Sequence, residues 1–207
     1  MKKTLAIIAL AAPALAGTKP TVAPAPAPAP TPAPVVSPWA VELGVGYNKA
    51  ARNVFKETPD QKKVNTWSWD ITGVYNLDDS NALTLRLGYA YGNRQMWGDG
   101  RVITNTWSLM PGYRYTYALD DQWSLFAGAN VGIVNWAWRD KGCCHESGWG
   151  FGYSAELGVS YAICPQWNVF AAYQFSGNTA NPTYQPHETA TKEQNFHGVR
   201  IGVGYTF

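Results

Sequence analysis

Six ionisable residues share one parity in this chain. Glu42, Asp70, Arg86, Arg114, Glu156 and Arg200 are all even-numbered, and each lies in a stretch where apolar and polar residues alternate. In an extended strand successive side chains point to opposite faces, so all six fall on the polar face of their segments. They comprise three acids and three bases. If the segments enclose a narrow interior, a charge there is costly unless paired, so the balance predicts mutual ion pairs. Placed along their segments, the six occupy a band ~10 Å tall, three to seven residues from one end at ~3.3 Å per tilted residue. Such a band can close a lumen, or open a water path if the pairs rearrange.

Other candidate chemistry is thinner. His145-Glu146-Ser147 has the spacing of a base and a nucleophile but falls in an expected loop, and His197 stands near a segment end with outward parity. No acid, base and nucleophile converge on one face, so a catalytic site is not expected. Cys143 and Cys144 are adjacent, while Cys164 is at the far end of the next segment. That segment separates them by ~30 Å along the membrane normal, against the ~7 Å a disulfide allows. A strained Cys143–Cys144 bond stays open. His145 beside the cysteines lacks a fourth ligand, so no metal and no cofactor is expected.

The elements that would position these residues are eight period-two segments from Trp39 onward, with the apolar set at odd positions throughout. They run Trp39–Tyr47, Trp67–Tyr75, Leu83–Tyr91, Trp107–Tyr115, Trp123–Ile133, Phe151–Tyr161, Trp167–Phe175 and Val199–Phe207. Most have the ~9–11 residues that a tilted membrane-crossing strand needs. The inward set also includes Val74, Met110, Phe126 and Phe170, which take up volume in an interior that eight strands leave only wide enough for side chains. Pro111 sits mid-segment on the outward face, where it removes a ladder hydrogen bond, and is expected to mark a bulge.

Connections alternate in length. Leu77–Asn81, Leu119–Gln122 and Ile163–Gln166 are tight and rich in Asp, Asn and Pro, whereas Lys49–Asn65, Arg94–Val102, Arg139–Gly148 and Gly177–Gln194 are longer. With the short turns periplasmic, Trp39, Tyr75, Tyr115, Trp123, Tyr161, Trp167, Tyr205 and Phe207 gather at one rim. Trp67, Trp69, Tyr91, Trp107, Phe151, Tyr173 and Phe175 gather at the other. Two aromatic girdles mark the two interfaces of a bilayer, and a soluble sandwich has no reason to make them. The fold class expected is therefore all-β: an eight-stranded antiparallel up-and-down transmembrane β-barrel.

The leading residues fit this location. Met1–Ala16 carries two lysines, an apolar stretch and Ala14-Leu15-Ala16, the pattern of a signal peptide cut before Gly17. Residues 17–38 form a Pro/Ala-rich spacer in the periplasm, either polyproline II or disordered. Residues 39–207 form the barrel. Without Lys2 and Lys3 the basic and acidic residues balance at 14 each, so global charge gives no reason to expect nucleic acid.

With this leader, eight alternating segments, short/long connections and the terminal Tyr205-Thr206-Phe207, the chain resembles the small outer-membrane barrels of the OmpA/OmpX type across Trp39–Phe207. The alternation through Val203, Tyr205 and Phe207 resembles the signal read by the barrel-assembly machinery. The resemblance implies residence in the bacterial outer membrane and a role in envelope integrity, adhesion or weak porin-like conduction. Long-tailed members carry a peptidoglycan-binding domain after the barrel; here the chain stops at Phe207, so that anchoring is not expected. Some small barrels are lipid A deacylases with a His-x-Ser pair late in the chain. The run Tyr173–Asn178 is faintly similar, but Gln174 occupies the histidine position and cannot act as general base.

The function expected is an outer-membrane barrel with a side-chain-filled polar lumen, structural in role, whose surface loops serve adhesion or lipopolysaccharide contact. A low-conductance pore is the alternative, and a lipid A-modifying enzyme is less favoured. Lys49, Arg52, Lys56, Lys62 and Lys63 in the first long connection are the residues expected to meet lipopolysaccharide phosphates. Trp136, Trp138 and Trp149 in the third are expected to form an exposed adhesive patch toward a host or surface ligand.

Overall fold

A computed structural model of the chain describes residues 37–51, 65–95, 101–140, 145–180 and 194–207. The expected leader and most of the spacer lie outside these residues. Eight strands follow one another: β1 (Trp39–Ala50), β2 (Asn65–Asn76), β3 (Asn81–Gln95), β4 (Arg101–Ala118), β5 (Trp123–Asp140), β6 (His145–Ala162), β7 (Trp167–Asn178) and β8 (Gln194–Thr206). Each pairs antiparallel with its sequence neighbours, and β8 returns to β1, closing a barrel. Full closure leaves no open edge within the membrane-spanning wall, the condition for strands in a solvent without hydrogen bonds.

Following partners round the wall, Trp39 leads through Tyr75, Leu83, Tyr113, Ala129, Ala155, Phe175 and His197 to Lys49 on the starting strand. The closure is offset by ten residues, from 39 to 49. For eight strands this requires a tilt of about 40°, given ~3.3 Å per residue and ~4.8 Å between strands.

Burial follows the expected parity. In β1 Glu42, Gly44, Gly46 and Asn48 are buried while Leu43 and Val45 are exposed, and the same alternation runs through the other strands. The exposed set is apolar because hydrocarbon, not protein, surrounds it. Aromatics pair across strands at each rim. Trp39–Tyr75, Trp123–Tyr161 and Trp167–Tyr205 lie 4.7, 4.8 and 4.9 Å apart between centroids at the end with the short turns. Tyr47–Trp67 and the Trp69–Tyr89–Trp107 cluster lie toward the opposite end.

Three expectations are corrected. Pro111 makes no bulge: it pairs with Leu85, and the β4–β5 register is the same at Leu109↔Ile133 as at Gly112↔Asn130. The β4–β5 ladder is merely interrupted at Met110 and Pro111, because the ring removes a donor without inserting a residue. The second and third long connections are shorter than expected, since β3 runs to Gln95, β4 starts at Arg101, β5 ends at Asp140 and β6 starts at His145. Pairing thus continues past the outer girdle, where Arg139 faces His145. Finally, Trp136 is not exposed. It lies in β5 at 2% exposure, on the inward parity, whereas Trp149 is 71% exposed. The side chain of Trp138 lies outside the described residues.

Candidate functional site

The six even-numbered charges come from six different strands, β1 to β4, β6 and β8, and the structure brings all of them into contact. Arg114 forks onto Glu42, with Nη1 donating to Oε1 and Nη2 to Oε2 at 2.9 Å. Its Nη2 also donates to Glu156 Oε1 at 3.2 Å. Arg200 forks onto Asp70 through Nε and Nη2, at 2.9 and 2.5 Å. Arg86 Nη2 donates to Glu156 Oε2 at 2.7 Å. Glu156 is the hub, since it also stands 3.5 Å from Arg200 Nη1 and so meets all three guanidiniums. Every one of the six is buried. Three negative and three positive charges cancel, so the cluster itself carries no net charge.

Two kinds of residue complete the network, and neither was singled out from sequence. Thr72 is fully buried; its hydroxyl donates to Asp70 Oδ1 at 3.1 Å and accepts from Arg200 Nη2 at 3.3 Å and Arg86 Nε at 3.4 Å. Its parity and its place two residues after Asp70 were the only available signal. Gly44 provides space: a Cβ there would lie 2.6 Å from Arg200 Nε and 2.8 Å from Asp70 Oδ2. Phe126 and Phe170 close the network on one side. Arg114 and Arg200 stack over their rings at 4.8 and 4.5 Å, and the two rings meet edge to face at 6.2 Å. Val74 and Met110 are likewise buried and face inward, as expected.

Cavities lie on both sides of this layer. One of about 410 Å³ sits toward the short-turn end and is lined by Glu42, Arg114, Val74, Asn76, Phe126 and Phe170. The other, about 100 Å³, sits toward the outer end between Asp70, Arg86, Ser68, Ser108, Met110 and Gln174. The ionic layer borders both.

The remaining candidates do not assemble into a site. His145-Glu146-Ser147 belongs to β6 rather than to a loop, so His145 and Ser147 share the exposed face while Glu146 has the opposite parity. Gln174 lines the outer cavity, and His197 lies on the opposite parity in β8, beside Tyr173 at 6.2 Å. Cys164 is an exposed free thiol in the last short turn. Cys143 and Cys144 lie outside the described residues, and among the described residues no cluster could hold a metal ion. Of the first-connection cations, Lys49 is exposed at the outer end of β1; Arg52, Lys56, Lys62 and Lys63 lie outside the described residues. At the opposite rim Tyr205 meets Phe207 edge to face at 5.2 Å, the Phe207 amide donates to the Trp39 carbonyl at 3.1 Å, and Val203 pairs with Leu43.

A closed eight-stranded barrel with an apolar outer face and a buried polar lumen defines an outer-membrane barrel. The family model for the outer membrane protein beta-barrel domain matches residues 4–207, and the chain belongs to that family. Its place is the bacterial outer membrane. Among solved structures it is similar to Neisserial surface protein A, at 15% identity and a TM-score of 0.59, over 83% of this chain and 99% of that one. It is also similar to the attachment invasion locus protein of Yersinia pestis in complex with the heparin analogue sucrose octasulfate. That match has 13% identity and a TM-score of 0.51, over 82% of this chain and 99% of the other. At these identities the likeness is one of fold. No curated protein sequence matches the chain.

Proposed function

We propose that this protein is a structural, non-catalytic component of the outer membrane whose lumen is closed by the Glu42–Asp70–Arg86–Arg114–Glu156–Arg200 network. Its outer rim and surface loops contact lipopolysaccharide and external ligands. The observation that carries this reading is the layer itself: six buried charges from six strands, each neutralised by its neighbours and backed by Phe126 and Phe170. Forked arginine–carboxylate pairs are directional as well as strong, so they fix the strands against one another. The alternation ending in Val203, Tyr205 and Phe207 serves as the recognition segment for barrel assembly. That the Yersinia protein was captured with a sulfated ligand supports a surface-binding role for the outer end here.

Planar-bilayer recording tests the closed lumen. Purified protein is expected to give no sustained single-channel steps, and regular steps would overturn the reading. The second reading, a low-conductance pore, draws support from the cavities on both sides of the layer, which leave only the ionic layer to rearrange. Under that reading Glu156→Gln, which removes the carboxylate charge that three arginines share, changes an existing conductance rather than creating one.

A further inference from the structure

Among the described side chains, the outward face of the barrel is uncharged through the membrane and carries basic and imidazole groups at its outer end. Among outward-facing strand residues whose side chains are described, the acids are absent and the charged or imidazole groups are Lys49, Arg139, His145 and His197. All four lie at the outer end. The acids Asp78, Asp79, Asp120 and Asp121 lie in the short turns at the other end. Among the described residues the outward face is therefore polarised, and its outer end is the part that would attract anions.

The register makes this more specific. Lys49 stands directly opposite His197 across the β1–β8 seam, and Arg139 directly opposite His145 across β5–β6. Each pair sets a cationic side chain opposite an imidazole with no carboxylate among their register partners, so both have donors that one bridging anion can accept from. The first pair has the better surroundings. In the same row lies Asn65, the partner of Lys49 on β2, and Phe175, the partner of His197 on β7. One step toward the membrane are Trp67, 66% exposed, with Tyr47 packed 5.0 Å from it, and Tyr173 beside His197. Ammonium, imidazole N–H and side-chain amide are donors suited to phosphate oxygens, and the aromatic shelf beneath suits the sugar and acyl part of the same molecule.

We infer that Lys49 and His197, with Asn65, form a phosphate site on the lipid face of the β1–β8 seam, occupied by a phosphorylated glycolipid of the outer leaflet. This deepens the proposed lipopolysaccharide contact and rests on the membrane placement given there. It moves that contact from the first connection to the barrel wall. It also gives the contact a consequence: β1 and β8 are the first and last strands, and a phosphate held by one residue of each ties the closure shut.

The test is heat-modifiable gel migration of the full-length protein refolded in phosphatidylcholine vesicles, with lipids added at fixed content. Bisphosphorylated lipid A is expected to raise the temperature at which the compact band is lost by ~5 °C, as expected for a ligand present well above its dissociation constant. Lipid A stripped of both phosphates, phosphatidylglycerol and inorganic phosphate are each expected to give less than half of that shift. The double variant Lys49→Ala/His197→Ala should keep a compact band but lose the shift, and Lys49→Arg should retain it. A full shift in the double variant, or with any of the three control additions, overturns the site. Failure of the wild-type chain to give any compact band in vesicles would instead count against the membrane barrel itself.

Discussion

Glu156 has the most to lose among the lumen residues, because its carboxylate meets Arg86, Arg114 and Arg200 together. Removing one member of a buried ionic cluster leaves its partners desolvated and unpaired, at a cost of roughly 3–5 kcal/mol. Glu156→Ala and Arg200→Ala are each expected to lower unfolding free energy by about that amount. Urea unfolding in vesicles measures it, and unchanged midpoints in both would remove the network from the list of stabilising features. Gly44 gives an independent check by size rather than charge. A valine there intrudes on Arg200 Nε and Asp70 Oδ2, so Gly44→Val should destabilise comparably although no charged residue is removed. That the six charges share an interior was legible in the sequence from parity and strand count. Which acid meets which base was not, because partners such as Arg86 and Glu156 are 70 residues apart and meet across the lumen. Their meeting depends on tilt and closure offset, which no local pattern encodes. Thr72 and Gly44 were missed for the same reason: their roles exist only once Asp70 and Arg200 have been brought together.

The short turns and the strands they join obey a common local logic. In two of them an aspartate caps the turn: Asp78 Oδ1 accepts from the amides of Ser80 and Asn81 at 2.8 Å each, and Asp120 Oδ1 accepts from Gln122 and Trp123 at 2.8 and 2.7 Å. The Ser80 amide, aided by the Asn81 side chain, holds the Asp78 carboxyl below its ordinary value of 3.8, and the amides of Trp123 and Gln122 do the same for Asp120. A carboxyl depressed on folding stabilises the fold above its unfolded value, and that contribution is lost as pH falls through the folded one. Acidification below pH 3.8 should therefore loosen these turns first, and Asp78→Asn should abolish the acid dependence at its turn. Amide exchange at Ser80 and Asn81 as a function of pH reads both effects. Turn positions were legible from Asp, Asn and Pro clusters, but strand ends were not. Sequence alternation fades near Arg139 and His145 while backbone pairing continues, since a ladder outside the hydrocarbon needs no apolar face. Pro111 misled for a related reason, because a missing donor resembles a bulge in sequence yet leaves the register intact. Pro111→Leu should restore a β4–β5 hydrogen bond and stabilise by about 0.5–1.5 kcal/mol, the usual net value of one such bond. An unfolding midpoint that falls instead would mean the proline serves strand geometry.

At the scale of the whole molecule, one orientation explains the apolar exterior, the two girdles, the neutral ionic layer and the basic outer rim. Each is a response to a different solvent: hydrocarbon, interface, a narrow lumen and the outer leaflet's headgroups. The orientation makes a sharp prediction, because a strand's parity allows only two choices and a one-residue slip exchanges every side chain. Cysteines placed singly at Leu43, Leu87 and Leu157, all exposed on the outward face, should react with a lipid-restricted photoprobe in native membranes. Their neighbours Glu42, Arg86 and Glu156 are buried and should resist the probe when each is replaced by cysteine in a chain that retains the compact band. Because the neighbours differ by one position at nearly the same depth, unequal reactivity within each pair reports facing rather than depth. Equal labelling within all three pairs would mean that the wall is not sealed by its own side chains, and reversed labelling would turn the barrel inside out. Either result would also displace the ionic layer from the lumen, since Glu42, Arg86 and Glu156 belong both to the test and to the network.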